Sequence, residues 1–144
     1  MTEIMVAVDG CEHSDRIVDT AIGLAKMMSA KIVLAYASPK MAVPEQYVEA
    51  IKADEPDIDG YYQEFSERML GGLDGRVRKQ KIPVETIFGT GNPSEFILSK
   101  AKERKDSMIV IGVHGLHSIG RLRALGSTSR RVIENSPIPV VAVP

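Results

Sequence analysis

Met108-Ile-Val-Ile111, then Gly112-Val-His-Gly115, then Leu116 to Leu125 and Gly126-Ser-Thr-Ser129, is the stretch whose reading decides the fold of this chain. The apolar run is continuous rather than alternating, as expected for a strand buried on both faces of a parallel sheet. A strand that ends in glycines and leads to a Gly-Ser helix start builds an anion site. Glycine lets the backbone approach a phosphate closely, and the free N–H groups of the first helical turn point at it. From Gly112 to Arg131 there are four arginines (Arg121, Arg123, Arg130, Arg131) and no acidic residue, in a chain of formal net charge −1. The ligand this pattern predicts carries phosphate.

Four further apolar runs, Ile4–Val8, Ile32–Tyr36, Val84–Phe88 and Val140–Val143, alternate with helical patterns. Between the first two, Ile17, Val18, Ala21, Ile22, Ala25 and Met28 recur at helical spacing, with Ser14 as the expected N-cap. Asn92-Pro-Ser-Glu95 opens another helix, with Asn as cap, Pro in the first turn and Glu as capping-box partner. A last short helix is expected from about Ser127 to Glu134, stopped by Pro137 and Pro139. Such alternation implies a doubly wound α/β sandwich with helices on both faces of a parallel sheet. Pro39 to Gly60, with six acidic residues, two basic residues and three prolines, reads as a variable surface excursion. Val43, Tyr47, Val48 and Ile51 give it at most an amphipathic turn or two, and long loops of this kind are either functional or simply inserted. Tyr62, Phe65, Met69, Leu73 and Val77 mark a helix over Tyr61 to Lys79. Gly71, Gly72 and Gly75 each weaken it by roughly 1 kcal/mol relative to alanine, which predicts a kink or an early end.

A length of 144 residues fits one domain spanning 1–144. The hydrophobic fraction of 44% supports a core, and 26% charged residues is ordinary for a globular chain. No stretch approaches the length of a membrane span, and Met1-Thr-Glu-Ile4 lacks the basic and apolar regions of a signal peptide. Cys11 is the single cysteine, which excludes an internal disulfide and suits a reducing, cytoplasmic setting. The near-neutral charge argues against a nucleic-acid binder, whose affinity comes from many Lys and Arg contacts to phosphate. No internal repeat or low-complexity tract is present.

In an open α/β sheet, ligands lie beyond the carboxyl ends of the strands where the strand order reverses. Val8-Asp9-Gly10 and Gly112-Val-His-Gly115 end two such strands, and they face one crevice if those strands are neighbours. Asp9 then accepts a ribose hydroxyl or holds a metal on the phosphates; the plainer alternative makes Asp9-Gly10 a turn dipeptide.

Over nearly its whole length the chain resembles the universal stress proteins in their ATP-binding form. The resemblance is carried jointly by Val6-Ala-Val-Asp9-Gly10 followed by Ser14, Gly91-Asn-Pro93, Ile109-Val-Ile-Gly112, Gly115-Leu116, Gly126-Ser-Thr-Ser129 and Pro137-Ile-Pro139-Val-Val-Ala-Val143. It implies a five-stranded sheet of order 3-2-1-4-5 and a homodimer. It places Asp9 and the backbone of Ala7 and Val8 beside the adenosine, and Ala37 by the adenine. Gly112, Gly115, Gly126, Ser127, Thr128 and Ser129 line the phosphates of ATP with Mg2+. The departure is that Leu116 to Leu125 is one residue longer than the ATP-binding pattern, an excess that Gly120 is placed to absorb.

Other candidates are weaker. Cys11 stands near a helix start that lowers a thiol pKa, or is simply a small unreactive thiol. His13, His114 and His117 match no metal-ligand spacing. Arg121 and Arg123 either contact phosphate or keep a loop solvated. A Gly-Lys-Ser arrangement is absent, so this is no P-loop NTPase. No residue pair has the form of a tuned acid and base or an activated nucleophile, so the expectation is binding rather than catalysis. The expected function is an ATP-binding, regulatory stress-response protein, dimerising through the edge strand Val140 to Val143 and engaging neither nucleic acid nor membrane. The alternative is a dimeric interaction module of the same fold with an empty crevice. An adenylyl transferase comes third, since 144 residues leave no room for a catalytic domain.

Overall fold

Strands and helices alternate through the chain in a computed structural model, which describes residues 2–8, 14–38, 58–104, 106–113 and 125–144. In order they are β1 (Glu3–Ala7), α1 (Ser14–Met28), β2 (Lys31–Ser38), α2 (Ile58–Arg78), β3 (Val84–Thr90), α3 (Pro93–Arg104), β4 (Met108–Gly112), α4 (Ser127–Asn135) and β5 (Val140–Val143). All strand pairings are parallel, in the order β3-β2-β1-β4-β5. This is the α/β sheet that the resemblance implies.

Side-chain parity explains why the apolar runs are continuous. Ile4, Val6 and Val8 of the first run, with Ile32, Leu34 and Tyr36 of β2, pack against α1 and α2. Met5, Ala7, Ala35, Ile109 and Ile111 point the other way, against Ile97 and Ala101 of α3 and Val132 of α4. Each strand thus serves two cores. The α1 stripe read from the sequence is buried at Ile17, Val18, Ala21, Ile22 and Ala25, with Met28 packed at its margin.

Several boundaries differ from the sequence expectation. β1 runs from Glu3 to Ala7 rather than from Ile4 to Val8. β2 and β3 extend past the apolar runs, to Ser38 and Thr90, because main-chain pairing continues through Ala37↔Gly89 and Ser38↔Thr90 whatever the side chains are. Helix α1 begins at Ser14 itself, so Ser14 is its first turn rather than its cap; the Ser14 hydroxyl is buried with no hydrogen-bond partner among the described residues. Asn92 does cap α3, its Oδ1 accepting the Glu95 N–H at 3.1 Å, and Ser94 donates to the same oxygen at 2.6 Å. The Glu95 carboxylate, expected in a capping box, pairs instead with Arg131 of α4 at 3.4 Å.

Helix α2 does not end early at its glycines; it runs unbroken to Arg78. Leu70, Leu73 and Val77 are buried against the sheet, and that burial outweighs the glycine penalty. The helix also starts at Ile58, inside the segment read as an excursion to Gly60. The rest of that excursion, 39–57, including Val43, Tyr47, Val48 and Ile51, lies outside the described residues.

Candidate functional site

β1 and β4 are neighbours, paired from Ile4↔Met108 to Ala7↔Ile111. The condition for a shared crevice at their carboxyl ends is therefore met. The chain leaves β1 for α1 on one face of the sheet and leaves β4 for α4 on the other, so the strand order reverses between them. Ligands of open α/β sheets sit at such a reversal.

Ala7 ends β1, and the buried Val8 donates its N–H to the Ala35 carbonyl at 3.0 Å. Ala37, also buried, lies two residues farther along β2 and pairs with Gly89. A side chain on Gly89 would collide with the Phe96 ring, which fills the space a Cβ would need. Glycine there lets α3 close over the end of β3. The second-strand end is thus floored by small residues.

Gly112 is the last residue of β4 and pairs with Val143. Its carbonyl accepts a hydrogen bond from the buried Ser129 hydroxyl, which ties the start of α4 to the end of the strand. Val113 then donates to the Val143 carbonyl at 2.9 Å and accepts the Gly126 N–H at 3.0 Å. Gly126 caps α4 with φ −59° and ψ 155° and offers no side chain. Its carbonyl takes the first helical bond, from Arg130 at 2.9 Å. No acceptor among the described residues takes the N–H of Ser127, Thr128 or Ser129. Three unpaired donors and the positive end of the helix dipole therefore sit beside the mouth of β4, a favourable arrangement for an anion.

The bond between Val113 and Gly126 bears on the long interval between the glycines. It ties the residue that follows β4 to the residue that caps α4, on either side of that interval. Residue type gives no hint of this role for Val113. Ser129 acts differently from its sequence reading: its hydroxyl is committed to Gly112, which leaves its N–H as the group it has to offer a ligand. The arginines are also less free than their count suggests. Arg131 pairs with Glu95, and Arg130 lies 4.0 Å from Glu134.

Asp9, Gly115 and Gly120 lie outside the described residues, as do Cys11, His13, His114, His117, Arg121 and Arg123. Among the described residues no group of three His, Cys, Asp or Glu side chains is arranged to hold a metal ion, and no helix is long and apolar enough to cross a membrane.

Known proteins share this architecture. The model of the universal stress protein family matches residues 1–144. The universal stress protein YxiE of Bacillus subtilis is 30% identical over 152 positions, covering 98% of this chain and 97% of the relative. Among solved structures, the universal stress protein UspA from Lactobacillus plantarum superposes with a TM-score of 0.81 at 21% identity, covering 99% and 97% of the two chains. A universal stress protein crystallised in complex with cAMP superposes with a TM-score of 0.69 at 26% identity, again covering 99% and 97%.

Proposed function

This chain belongs to the universal stress protein family, and from that premise we propose that the crevice between β1 and β4 binds ATP with Mg2+, making the protein a nucleotide-dependent regulator in the stress response. The observation that carries this is the start of α4 behind Gly126, where no acceptor among the described residues takes the N–H of Ser127, Thr128 or Ser129. Phosphates fit there: Gly112 and Gly126 present backbone without side chains, and the donor set is neutral N–H at a helix start. Ala7, Val8 and Ala37 lie at the carboxyl ends of the adjoining strands, where a nucleoside would rest, and Asp9 and Gly115 complete the site. The cAMP held by the related structure is in keeping with an adenine nucleotide.

The protein acts by binding and not by chemistry, in the cytoplasm, as a homodimer joined through β5. Magnesium, when bound, is held chiefly by the phosphates, with Asp9 the nearest candidate carboxylate by position in the sequence. The longer interval from Leu116 to Leu125 favours the second reading, a dimeric interaction module that holds no nucleotide. Denaturing purified protein and identifying the released small molecules by mass separates the two. Co-released adenine nucleotide in stoichiometric amount is the expected result. Nothing released, together with no uptake of added ATP, would leave the interaction module standing.

A further inference from the structure

At the amino ends of the strands, opposite to the crevice, five charged side chains converge. Arg104 at the end of α3 holds Glu85 of β3 with two hydrogen bonds, of 3.1 and 2.8 Å, and reaches Glu3 of β1 at 3.5 Å. Lys31 of β2 donates to Glu85 at 2.7 Å and lies 3.5 Å from Glu3. Asp106, leading into β4, is innermost, and its side chain is wholly shielded from solvent. No N–H or hydroxyl among the described residues donates to either of its oxygens. Arg104 Nε stands 3.8 Å away, beyond hydrogen-bond reach, and is itself buried and unpaired. Among the described residues, two cations thus face three carboxyls.

A buried carboxylate with no donor, in a cluster already short of positive charge, is heavily penalised. We propose that in mildly acidic solution Asp106 of the native protein carries a proton and donates it to the Glu3 carboxylate, so that the cluster is a proton-binding latch across the base of the sheet. The backbone brings the pair together, since the Ser107 N–H donates to the Glu3 carbonyl at 2.9 Å. The proton serves an oxygen that no other donor among the described residues reaches, and it leaves their two cations matched with two carboxylates. Its release makes Asp106 a buried anion facing Glu3, with the unpaired Arg104 Nε as its closest partner. Closing that gap pulls against the two-point grip of Arg104 on Glu85, which holds α3 to β3.

Burial first, and then the hydrogen bond with Glu3, push the Asp106 carboxyl up to about 6; the Arg104 charge opposes this without cancelling it, while Glu85 adds repulsion. Burial also acts to raise Glu3, but its hydrogen bond with Asp106 and the charges of Lys31 and Arg104 prevail and hold it below its ordinary value. Hydrogen bonds from Arg104 and Lys31 lower Glu85. The signs are opposed. Asp106 holds its proton more tightly in the native chain than in the unfolded one, so its contribution is complete in acid and lost as pH rises through about 6. Glu3 and Glu85 contribute above the ordinary carboxylate range and lose that contribution as pH falls. A difference between two proteins isolates Asp106 from them.

Carboxyl carbon NMR of the wild-type protein is expected to show Asp106 titrating near pH 6; a midpoint at the ordinary aspartate value of about 3.9 would overturn the proposal. Glu3→Gln should lower that midpoint, because the anion that retains the proton is gone. Asp106→Asn offers Glu3 an N–H at every pH, so its melting temperature should gain several degrees on the wild type between about pH 5 and pH 8. A gap that stays constant, or that moves in favour of the wild type, also contradicts the latch. If the variant fails to fold, the wild-type titration decides alone.

Discussion

Gly126 caps α4 with φ −59° and ψ 155°, an extended backbone that every residue type adopts, so its value to the helix is not conformational. What it contributes is the absence of a side chain beside three N–H groups that no acceptor among the described residues takes. Gly126→Val is therefore expected to cost about 1 kcal/mol of stability or less, as a poorer cap, while removing ATP binding. Melting curves and ATP titration of the same preparation check both halves. A variant that binds ATP like the wild type would place the phosphates on another loop. The sequence made Gly126 visible as a glycine before a Ser-rich helix start, and its extended backbone leaves the steric reason as the one that counts. Ser129 was singled out as a candidate by position, whereas the commitment of its hydroxyl to Gly112 was not legible. That bond joins residues 17 apart and depends on how the end of β4 and the start of α4 meet.

Helix α2 holds the clearest conflict between local propensity and tertiary packing. Gly72 is exposed and Gly75 half-buried, and a Cβ on either meets nothing within 4 Å. Neither has a positive φ. Gly72→Ala and Gly75→Ala should each stabilise the protein by about 0.5–1 kcal/mol, raising the melting temperature by roughly 2–4 °C per kcal/mol for a chain near this size. Loss of stability in either variant would mean that the glycine serves a contact this helix makes elsewhere. Element types and order could be read from periodicity because the buried stripes of α1 and α2 are strong. Strand ends could not, since pairing beyond Tyr36 and Phe88 depends on the neighbouring strand and not on the residues themselves. The cluster at the strand bases was hidden for a related reason. Glu3, Lys31, Glu85 and Asp106 are scattered polar residues until parallel pairing sets Glu3 beside Lys31 and Val33 beside Glu85.

At the scale of the whole molecule, β5 lies at one edge of the sheet, with no strand among the described residues on its outer side. Val143 is 7% exposed and belongs to the core of the protomer, so a charge there would disrupt the fold rather than report on a dimer. Ala142 is exposed and Val141 half-buried, which makes Ala142→Asp the cleaner probe. If copies join through this edge, Ala142→Asp yields monomer by light scattering at micromolar concentration with ATP affinity retained, because the crevice lies between β1 and β4. A monomeric wild type, or a variant that dimerises as tightly, counts against the interface. The central claim concerns the crevice, and one titration tests it directly: backbone amide NMR of nucleotide-free protein with added ATP and Mg2+. The account predicts saturable shifts concentrated at Gly126, Ser127, Thr128 and Ser129, with smaller ones at Ala7, Val8, Ala37 and Gly112. Amides at the start of α4 that stay in place at millimolar ATP would contradict it.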